Sequence, residues 1–216
     1  MNPTIDLLKS HRSIRKFTGK KIPEDLLREL IRAGQCAATS NHVQAYSIIH
    51  VIAPDNRRKI AELAGGQDYI ADCSDFLVFC ADLSRSIRCC IEHGRTPCEG
   101  LTEHFIIATV DAALCAQNVA LAAESLGLGI CYIGAIRNDA ERSAKLLELP
   151  HQVYPVFGMC IGWPDQNPEV KPRLPLSVIL KENSYSIDGE VEAIASYDEE
   201  MREYYATRSA NIKIQG

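Results

Sequence analysis

The stretch predicted to form the longest helix of the chain is LTEHFIIATVDAALCAQNVALAAESLG, residues 101–127. A continuous helix of this length would extend ~40 Å, which exceeds the width of a small domain. Gly127 and Gly129 predict its end, because glycine readily adopts the conformations that close helices. The stretch is rich in alanine and apolar on most sides, so we expect it at the centre of the fold or at an interface.

Shorter apolar runs flank this helix and alternate with further helical segments. The predicted strands are residues 46–53 (YSIIHVIA), 75–82 (DFLVFCAD), 129–136 (GICYIGAI) and 153–164 (VYPVFGMCIGWP). The other predicted helices cover residues 3–10, a segment beginning at Pro23, and residues 55–64, 138–148 and 192–206. Because each predicted strand contains a continuous apolar run, the strands predict a sheet covered on both faces. The polar, proline-rich arm 164–175 is expected to lie extended across a surface.

Composition limits the possible functions. The chain has 216 residues, of which 46% are hydrophobic, and a formal net charge of −5. This acidic balance argues against a general nucleic-acid-binding protein, which would present a basic stripe. No apolar run is expected to cross a membrane, and the N-terminus lacks the pattern of an export signal. The sequence therefore predicts a cytoplasmic protein with neither nucleic-acid nor membrane partners.

The nine cysteines are expected to be reduced thiols, since their number is odd and no export signal is found. The cluster RCCIEHGRTPC contains Cys89, Cys90, His93 and Cys98. Its spacing does not match known zinc sites, so no metal site is predicted. We expect a flexible, partly exposed segment, with His93, Arg95 or the thiols as candidates for contact with a substrate. A thiol- or metal-sensing role stays open as an alternative.

Most catalytic motifs do not match the sequence. Gly127, Gly129 and Gly134 follow a helix and precede a strand, whereas the dinucleotide fingerprint requires the opposite order. The Walker, G-x-S-x-G and H-E-x-x-H motifs do not occur in the chain. The sequence therefore offers no side-chain nucleophile or metal ligand set as the basis of an activity.

Two clusters of cations are more informative. The first is HRSIRKF, residues 11–17, and the second is EVKPRLP, residues 169–175. Arginine and lysine bind phosphate through charge-assisted hydrogen bonds, and a serine hydroxyl can contribute a further donor. A phosphate site and a solvated charged loop both fit either cluster, and the sequence alone does not join the two.

Several segments together resemble the flavin-dependent nitroreductase family, in particular its oxygen-insensitive, NADPH-preferring nitroreductase and flavin reductase branch. The segments are HRSIRKF (11–17), GGQ (65–67), AAESLGLGICYIGAIRN (122–138) and VFGMCIGWPDQNPEVKPRLP (156–175). The resemblance extends from Pro3 to about Asn211. It implies an α+β sandwich, with a central, mainly antiparallel sheet flanked by helices, in an intertwined homodimer. Residues 1–163 would form the FMN-binding core, and residues 164–216 an extension that reaches the FMN phosphate and the partner subunit.

The resemblance also implies roles for individual residues. His11, Arg12, Ser13, Lys171 and Arg173 would bind the FMN phosphate, and Arg15 would face the N1/O2 edge of the flavin ring. Thr39, Ser40 and Gln44 would come from a polar loop of the second subunit, Gln67 would contact the flavin or its ribityl chain, and Tyr132, Ile133 and Gly134 would lie along the ring. Arg208 and Lys213 would bind the coenzyme. Because Lys213 stands near the place of a second arginine in the family, and the sequence ends at Gly216, both NADPH and NADH are expected as electron donors.

The implied function is that of an FMN-dependent NAD(P)H oxidoreductase. Hydride would pass from the nicotinamide to flavin N5, and a small-molecule acceptor would then take two electrons in a ping-pong cycle. Nitroaromatics, quinones and flavins are the acceptors that the family implies. Two alternatives remain: a flavin or quinone reductase with incidental nitro activity, and a flavin-binding protein without turnover.

Overall fold

A computed structural model describes residues 2–210 and shows an α+β architecture, as the resemblance implied. The strands are β1 (Tyr46–His50), β2 (Asp75–Asp82), β3 (Gly129–Ile133) and β4 (Val153–Gly162). The helices are α1 (Pro3–Lys9), α2 (Glu24–Gln35), α3 (Pro54–Leu63), α4 (Tyr69–Asp72), α5 (Ser84–Glu92), α6 (Thr102–Ser125), α7 (Ala140–Leu146), α8 (Leu176–Ile179) and α9 (Glu190–Thr207). Two short 3₁₀ turns cover Ser40–His42 and Gly134–Asp139.

The strands form one antiparallel sheet in the order β1-β2-β4-β3. Every residue of β2 is buried, because helices cover both faces of the sheet at its centre. One face packs against α2 and α6, and the other packs against α3 and α4. The prediction of a sheet covered on both sides is therefore confirmed.

The long helix α6 lies against the centre of the sheet, as its sequence predicted. Its buried side carries mostly small residues at helical spacing: Ala108, Asp111, Ala112, Cys115, Ala116, Val119, Ala120 and Ala123. Small side chains allow close approach, and a Cβ atom added to Gly34 of α2 would lie 2.6 Å from Val119 Cγ2. The opposite side of α6 exposes a row of large apolar residues one turn apart, namely Ile106, Val110 and Leu114. This helix thus has the two apolar sides expected of an element at both a core and an interface.

By length and composition α6 is apolar enough to cross a membrane, which the sequence analysis had not anticipated. Buried helices of compact proteins pass the same test. In this fold Asp111 lies near the middle of α6 and is almost completely buried among polar partners. The packing of α6 against the sheet accounts for the apolar composition of this helix.

Several predicted boundaries were wrong. The third strand ends at Ile133, and its last predicted residues form the 3₁₀ turn Gly134–Asp139. The sequence analysis missed α4, α5 and the short α8. Helix α5 contains Cys89 and Cys90, so the expectation of a flexible segment was wrong for these two thiols, whereas Cys98 lies in an irregular, exposed stretch. All nine cysteines are free thiols, as predicted.

Residues 11–17 run alongside β3, and Gly129 permits their close approach. The Ile14 N–H donates to the Ile130 carbonyl over 2.9 Å, and the Ile14 side chain is buried. A Cβ atom added to Gly129 would lie 2.5 Å from Ile14 Cγ1 and 2.7 Å from Ile14 Cβ. These are distances that real Cβ atoms do not show, so only glycine allows this segment to lie where it does.

We therefore expect Gly129→Ala to destabilise the protein by about 1–3 kcal/mol, because the added methyl forces the 11–17 segment away from β3. Urea unfolding at a fixed protein concentration measures this loss. The matched control is Gly19→Ala, since a Cβ atom there meets no atom within 4 Å. Equal unfolding midpoints for the two variants would contradict the packing described for Gly129.

Candidate active site

A cleft of ≈ 930 Å³ opens where three distant parts of the chain meet. Its walls come from the segment after α1, the loop before α4, and the arm together with the end of α9. The lining residues are His11, Arg12, Ser13, Arg15, Gly65, Gly66, Gln67, Asp68, Tyr69, Pro168, Glu169, Lys171, Arg173, Tyr204, Tyr205 and Arg208. The two cation clusters that the sequence could not connect therefore lie on one cleft.

The first wall is set by the pairing of residues 11–17 with β3. Successive side chains of an extended segment point in opposite directions. Because Ile14 turns into the core, its neighbours Ser13 and Arg15 both face the cleft. The segment that looked like a basic surface loop is thus anchored by one buried isoleucine.

The arm 164–175 returns to this same segment after β4. The Asp165 N–H donates to the Lys16 carbonyl over 2.9 Å, next to an isolated strand pairing of Phe17 with Pro164. This pairing fixes the start of the arm beside the first wall. Lys171 and Arg173 consequently line the cleft.

The loop before α4 forms another wall and supplies neutral polar groups. Gly65 and Gly66 have φ values of 81° and 77°, which place both in the left-handed region that favours glycine. Gln67 Nε2 donates to the Ala64 carbonyl over 2.7 Å, and the Tyr69 hydroxyl donates to Gln67 Oε1. Burial raises the pKa of Tyr69, and a hydrogen bond with Arg15 only partly offsets this increase, so Tyr69 stays a neutral donor.

Positive charge dominates the cleft. Its permanent cations are Arg12, Arg15, Lys171, Arg173 and Arg208, and its carboxylates are Asp68 and Glu169. Within residues 2–210, none of these five cations forms an ion pair with a carboxylate. Glu169 instead accepts hydrogen bonds from Ser209 N (3.1 Å) and Ser209 Oγ (2.6 Å). Cations gathered without carboxylate partners around a concave site indicate that the site binds an anion.

The mouth of the cleft is built around Tyr205. Lys171 Nζ donates to the Tyr205 hydroxyl over 3.0 Å and lies 5.3 Å from the centre of its ring. The Arg208 guanidinium lies 4.7 Å from the same ring centre. Both distances are in the range of cation–π contacts, so the ring holds two of the cleft cations in position.

Comparison with known proteins connects this cleft to a family. The model of the nitroreductase family matches residues 8–85 and 101–163, and the model of the C-terminal domain of the same family matches residues 171–215. The chain belongs to the nitroreductase family. This finding confirms the resemblance that the cation clusters and the glycine-containing segments indicated.

Individual relatives of this nitroreductase family member are similar over most of their length. An oxygen-insensitive NADPH nitroreductase of Salmonella typhimurium is 42% identical over 213 residues, covering 99% of this chain and 87% of that protein. An NADPH-flavin oxidoreductase of Vibrio harveyi is 44% identical over 216 residues, covering 99% of this chain and 87% of that protein. The solved structure of the Vibrio harveyi NADPH:FMN oxidoreductase in complex with NAD⁺ superposes with a TM-score of 0.90 at 43% identity, covering 95% of this chain and 87% of that chain.

One predicted group of site residues lies apart from the cleft. Thr39, Ser40 and Gln44 are organised by Asp111, a buried carboxylate on α6. Asp111 accepts hydrogen bonds from Thr39 Oγ1 (2.6 Å), the Ala45 N–H (2.9 Å) and the Ser40 N–H (3.3 Å). Sequence reasoning missed Asp111, because a single acidic residue in an apolar helix does not reveal its partners.

We expect Asp111→Asn to destabilise the protein by about 2 kcal/mol. Asparagine keeps the size of the side chain, but it offers one acceptor oxygen and turns an NH₂ group toward backbone N–H donors. Urea unfolding measures the change, and Glu103→Gln, at an exposed position of the same helix, is the control. A loss below about 0.5 kcal/mol would mean that Asp111 does not organise the 39–45 loop.

The predicted ring contacts Tyr132, Ile133 and Gly134 lie around the end of β3, but not all of their side chains are available. The Ile133 side chain is buried in the core, and the Tyr132 ring packs edge-on against Phe157 with its hydroxyl 3.4 Å from Gln117 Oε1. A Cβ atom on Gly134 would lie 3.2 Å from an Arg137 nitrogen. Of these three residues, Ile133 therefore has no side chain available for contact, whereas Tyr132 is partly exposed.

The remaining predictions concern coenzyme and metal. Arg208 lines the cleft, whereas Lys213 lies outside the described residues. In the part of the chain that the structure describes, no group of histidine, cysteine or acidic residues could hold a metal ion. Tyr69, Tyr204 and Tyr205 line the cleft but were missed by the sequence analysis, because aromatic residues near a helix end are more often packing residues.

Proposed function

We propose that this protein is an FMN-dependent NAD(P)H oxidoreductase that reduces nitroaromatics, quinones or flavins by two electrons. The cleft carries five cations that form no ion pair with a carboxylate among residues 2–210, and this observation carries the proposal. The names of the relatives support it, since they are an NADPH nitroreductase and an NADPH-flavin oxidoreductase. Family membership supports the choice of a flavin over another phosphorylated ligand.

The residues of the cleft suit the parts of FMN. Arg12, Lys171 and Arg173, with His11 and the Ser13 hydroxyl, form the anion site for its phosphate. Gln67 is fixed by its hydrogen bonds and is assigned to the flavin or the ribityl hydroxyls. Arg15 is placed at the N1/O2 edge of the ring, where a cation favours the reduced state.

A homodimer completes the site in this proposal. Thr39, Ser40 and Gln44 reach FMN from the second subunit, and the backbone of Tyr132, Ile133 and Gly134 lies along the ring. The exposed apolar row on α6 supplies a surface for the second subunit. We further propose residues 1–163 as the FMN-binding core and residues 164–216 as the extension, a division supported by the two family models that match on either side of it.

When bound, FMN supplies the redox chemistry of the site, which is hydride transfer from NAD(P)H and then to the acceptor. The chain contributes binding, orientation and charge, and none of its side chains acts as a nucleophile. Donor and acceptor occupy the same opening in turn, which predicts ping-pong kinetics. Arg208 at the mouth, with Lys213, is assigned to the 2′-phosphate of NADPH, while NADH is also accepted as a donor.

An absorbance spectrum followed by anaerobic titration with NADH and NADPH tests the function. The purified protein is expected to show the flavin bands, and these bands are expected to bleach on addition of a reduced coenzyme. A protein that binds FMN but stays oxidised with both coenzymes would be the non-catalytic flavin-binding alternative. Comparison of kcat/KM for nitroaromatic, quinone and flavin acceptors then separates a nitroreductase from a flavin or quinone reductase with incidental nitro activity.

A further inference from the structure

A second cavity, of ≈ 320 Å³, is lined by two cysteines. It lies between α5, the start of α6 and the irregular stretch that joins these helices, and Cys90 and Cys98 both line it. None of the described residues lines both this cavity and the cleft. The two thiols belong to residues 86–100, which lie between the stretches 8–85 and 101–163 that match the family model. The proposed function therefore assigns no role to this cavity or to its thiols.

Helix α5 presents Cys90, and not Cys89, to the cavity. Leu83, Ser86, Ile87 and Cys90 all line it, and their spacing of three and four residues places them on one side of a helix. Cys89 is exposed and lies outside this lining. The two adjacent cysteines therefore differ in their surroundings, although they are neighbours in the sequence.

Contacts on either side of Cys98 keep it beside the end of α5. The Arg95 N–H donates to the Cys90 carbonyl over 2.8 Å, which returns the chain to the last turn of the helix three residues before Cys98. Directly after Cys98, Glu99 Oε2 accepts a hydrogen bond from Gln152 Nε2 over 3.1 Å. Cys98 is thus held at the wall that Cys90 lines from the helix.

Access to solvent separates these thiols from most of the others. Cys98 is exposed and Cys90 is partly exposed. Reaction with a small molecule in solution requires an accessible thiol. Five cysteines are no more than 2% exposed, namely Cys73, Cys80, Cys115, Cys131 and Cys160. Cys36 is exposed, but it lies at the end of α2, away from the cavity.

We infer that Cys90 and Cys98 are a reversible dithiol–disulfide pair, which small disulfides such as oxidised glutathione oxidise to a bond between α5 and the irregular stretch. Seven residues separate the two cysteines, so the bond closes a short loop at a small cost in chain entropy. Exposed disulfides of reducing compartments are mostly transient and regulatory. Because both sulfur atoms line the cavity, oxidation also narrows it.

The reaction is a pair of thiol–disulfide exchanges. The exposed Cys98 thiolate attacks the small disulfide, forms a mixed disulfide and releases one small thiolate. The Cys90 thiolate then attacks the Cys98 sulfur, forms the Cys90–Cys98 bond and releases the second small thiolate. The protein gives up two electrons, the small disulfide is reduced to two thiols, and the two protons of the cysteines pass to these products.

Oxidised glutathione is the probe for this pair. The reduced, full-length protein is incubated with it, free thiols are alkylated, and tryptic peptides are analysed by mass spectrometry. Cleavage after Arg95 separates the two cysteines, so the expected bond joins peptide 89–95 to the peptide that begins at Thr96. We expect Cys90 and Cys98 to lose their free thiols together without retaining glutathione, and dithiothreitol to restore both.

Serine variants assign the bond. Cys90→Ser is expected to abolish the joined peptides and to leave glutathione on Cys98, because the second exchange has no attacking thiol. Cys98→Ser should abolish the joined peptides as well. Cys89→Ser is the matched control, since its thiol lies one residue away but outside the cavity lining, and it should behave like the wild type.

Three outcomes would overturn the inference. In the first, glutathione stays on Cys98 in the wild type to the same extent as in Cys90→Ser. In the second, the joined peptides persist in Cys90→Ser and disappear in Cys89→Ser, which would make Cys89 the partner. In the third, neither Cys90 nor Cys98 reacts.

The inference and the proposed function fail separately. An absorbance spectrum of the same sample reports whether FMN is bound, and the peptide analysis reports the disulfide whether or not FMN is present. A protein without FMN that forms the bond would refute only the proposed function. A holoprotein that is reduced by NADPH but forms no bond would refute only the dithiol pair.

Discussion

Replacing both Lys171 and Arg173 by alanine is expected to release FMN, with the Kd increasing at least about 100-fold. Hydrogen bonds between charged groups contribute about 1.5–3 kcal/mol each, and this variant removes two cations from the anion site. Both residues lie on the arm 164–175, which is exposed for most of its length, so their removal should leave the core intact. Fluorescence titration of the apoprotein with FMN measures the affinity.

The control variant must remove two positive charges from a part of the surface outside the cleft. Arg142 and Lys145 are exposed cations on α7, and their double alanine variant should retain FMN like the wild type. Salt gives an independent check, since binding carried by cations weakens as ionic strength rises. If the Lys171 and Arg173 variant retains FMN with wild-type affinity, the anion site lies elsewhere and the assignment of this cleft is wrong.

The main elements of the fold could be predicted because their patterns are local. Residues 76–81 are apolar throughout, and the structure places them inside the fully buried strand β2. The alanine-rich stretch 101–127 likewise became α6, at Thr102–Ser125. Helix α5 was missed because its sequence, SRSIRCCIE, mixes basic and apolar residues and was interpreted for its thiols.

The composition of the cleft could not be predicted from local patterns. Residues 11–17 and 164–175 meet through a backbone hydrogen bond between Asp165 and Lys16, and no property of either segment specifies the other. The family resemblance provided that link before the structure did. It named the cations on both segments, and the structure places His11, Arg12, Lys171 and Arg173 on one cleft.

Two carboxylates with little exposure on α6 were residues that sequence reasoning could not find. Glu124 and Asp111 both lie on α6, where one partners His11 and the other organises the 39–45 loop. In the sequence they only interrupt an apolar run. Their roles follow from which strand and loop the helix faces, and that is decided by packing over the whole fold. The long helix therefore does more than fill the core, because Glu124 and Asp111 hold polar segments beside the two edge strands of the sheet, β3 and β1.

Arg15 is expected to control the reduction of the flavin more than its retention. Its side chain lines the cleft from the wall formed by residues 11–17 and not from the arm. In Arg15→Gln the loss of positive charge should lower the flavin midpoint potential by about 30 mV, which corresponds to about 1.4 kcal/mol for two electrons. The rate of anaerobic reduction by NADPH should fall about tenfold if that energy appears in the barrier.

Arg15→Lys is the matched variant, since it restores the charge without the planar fork of hydrogen-bond donors. Arg15→Lys should recover most of the midpoint potential that Arg15→Gln loses. If Arg15 had a purely structural role, restoring the charge alone would not be expected to restore the potential. Redox titration with a reference dye gives the potential, and stopped-flow absorbance gives the rate. If Arg15→Gln instead loses FMN and leaves the potential of the remaining holoprotein unchanged, Arg15 belongs to the phosphate site and not to the edge of the ring.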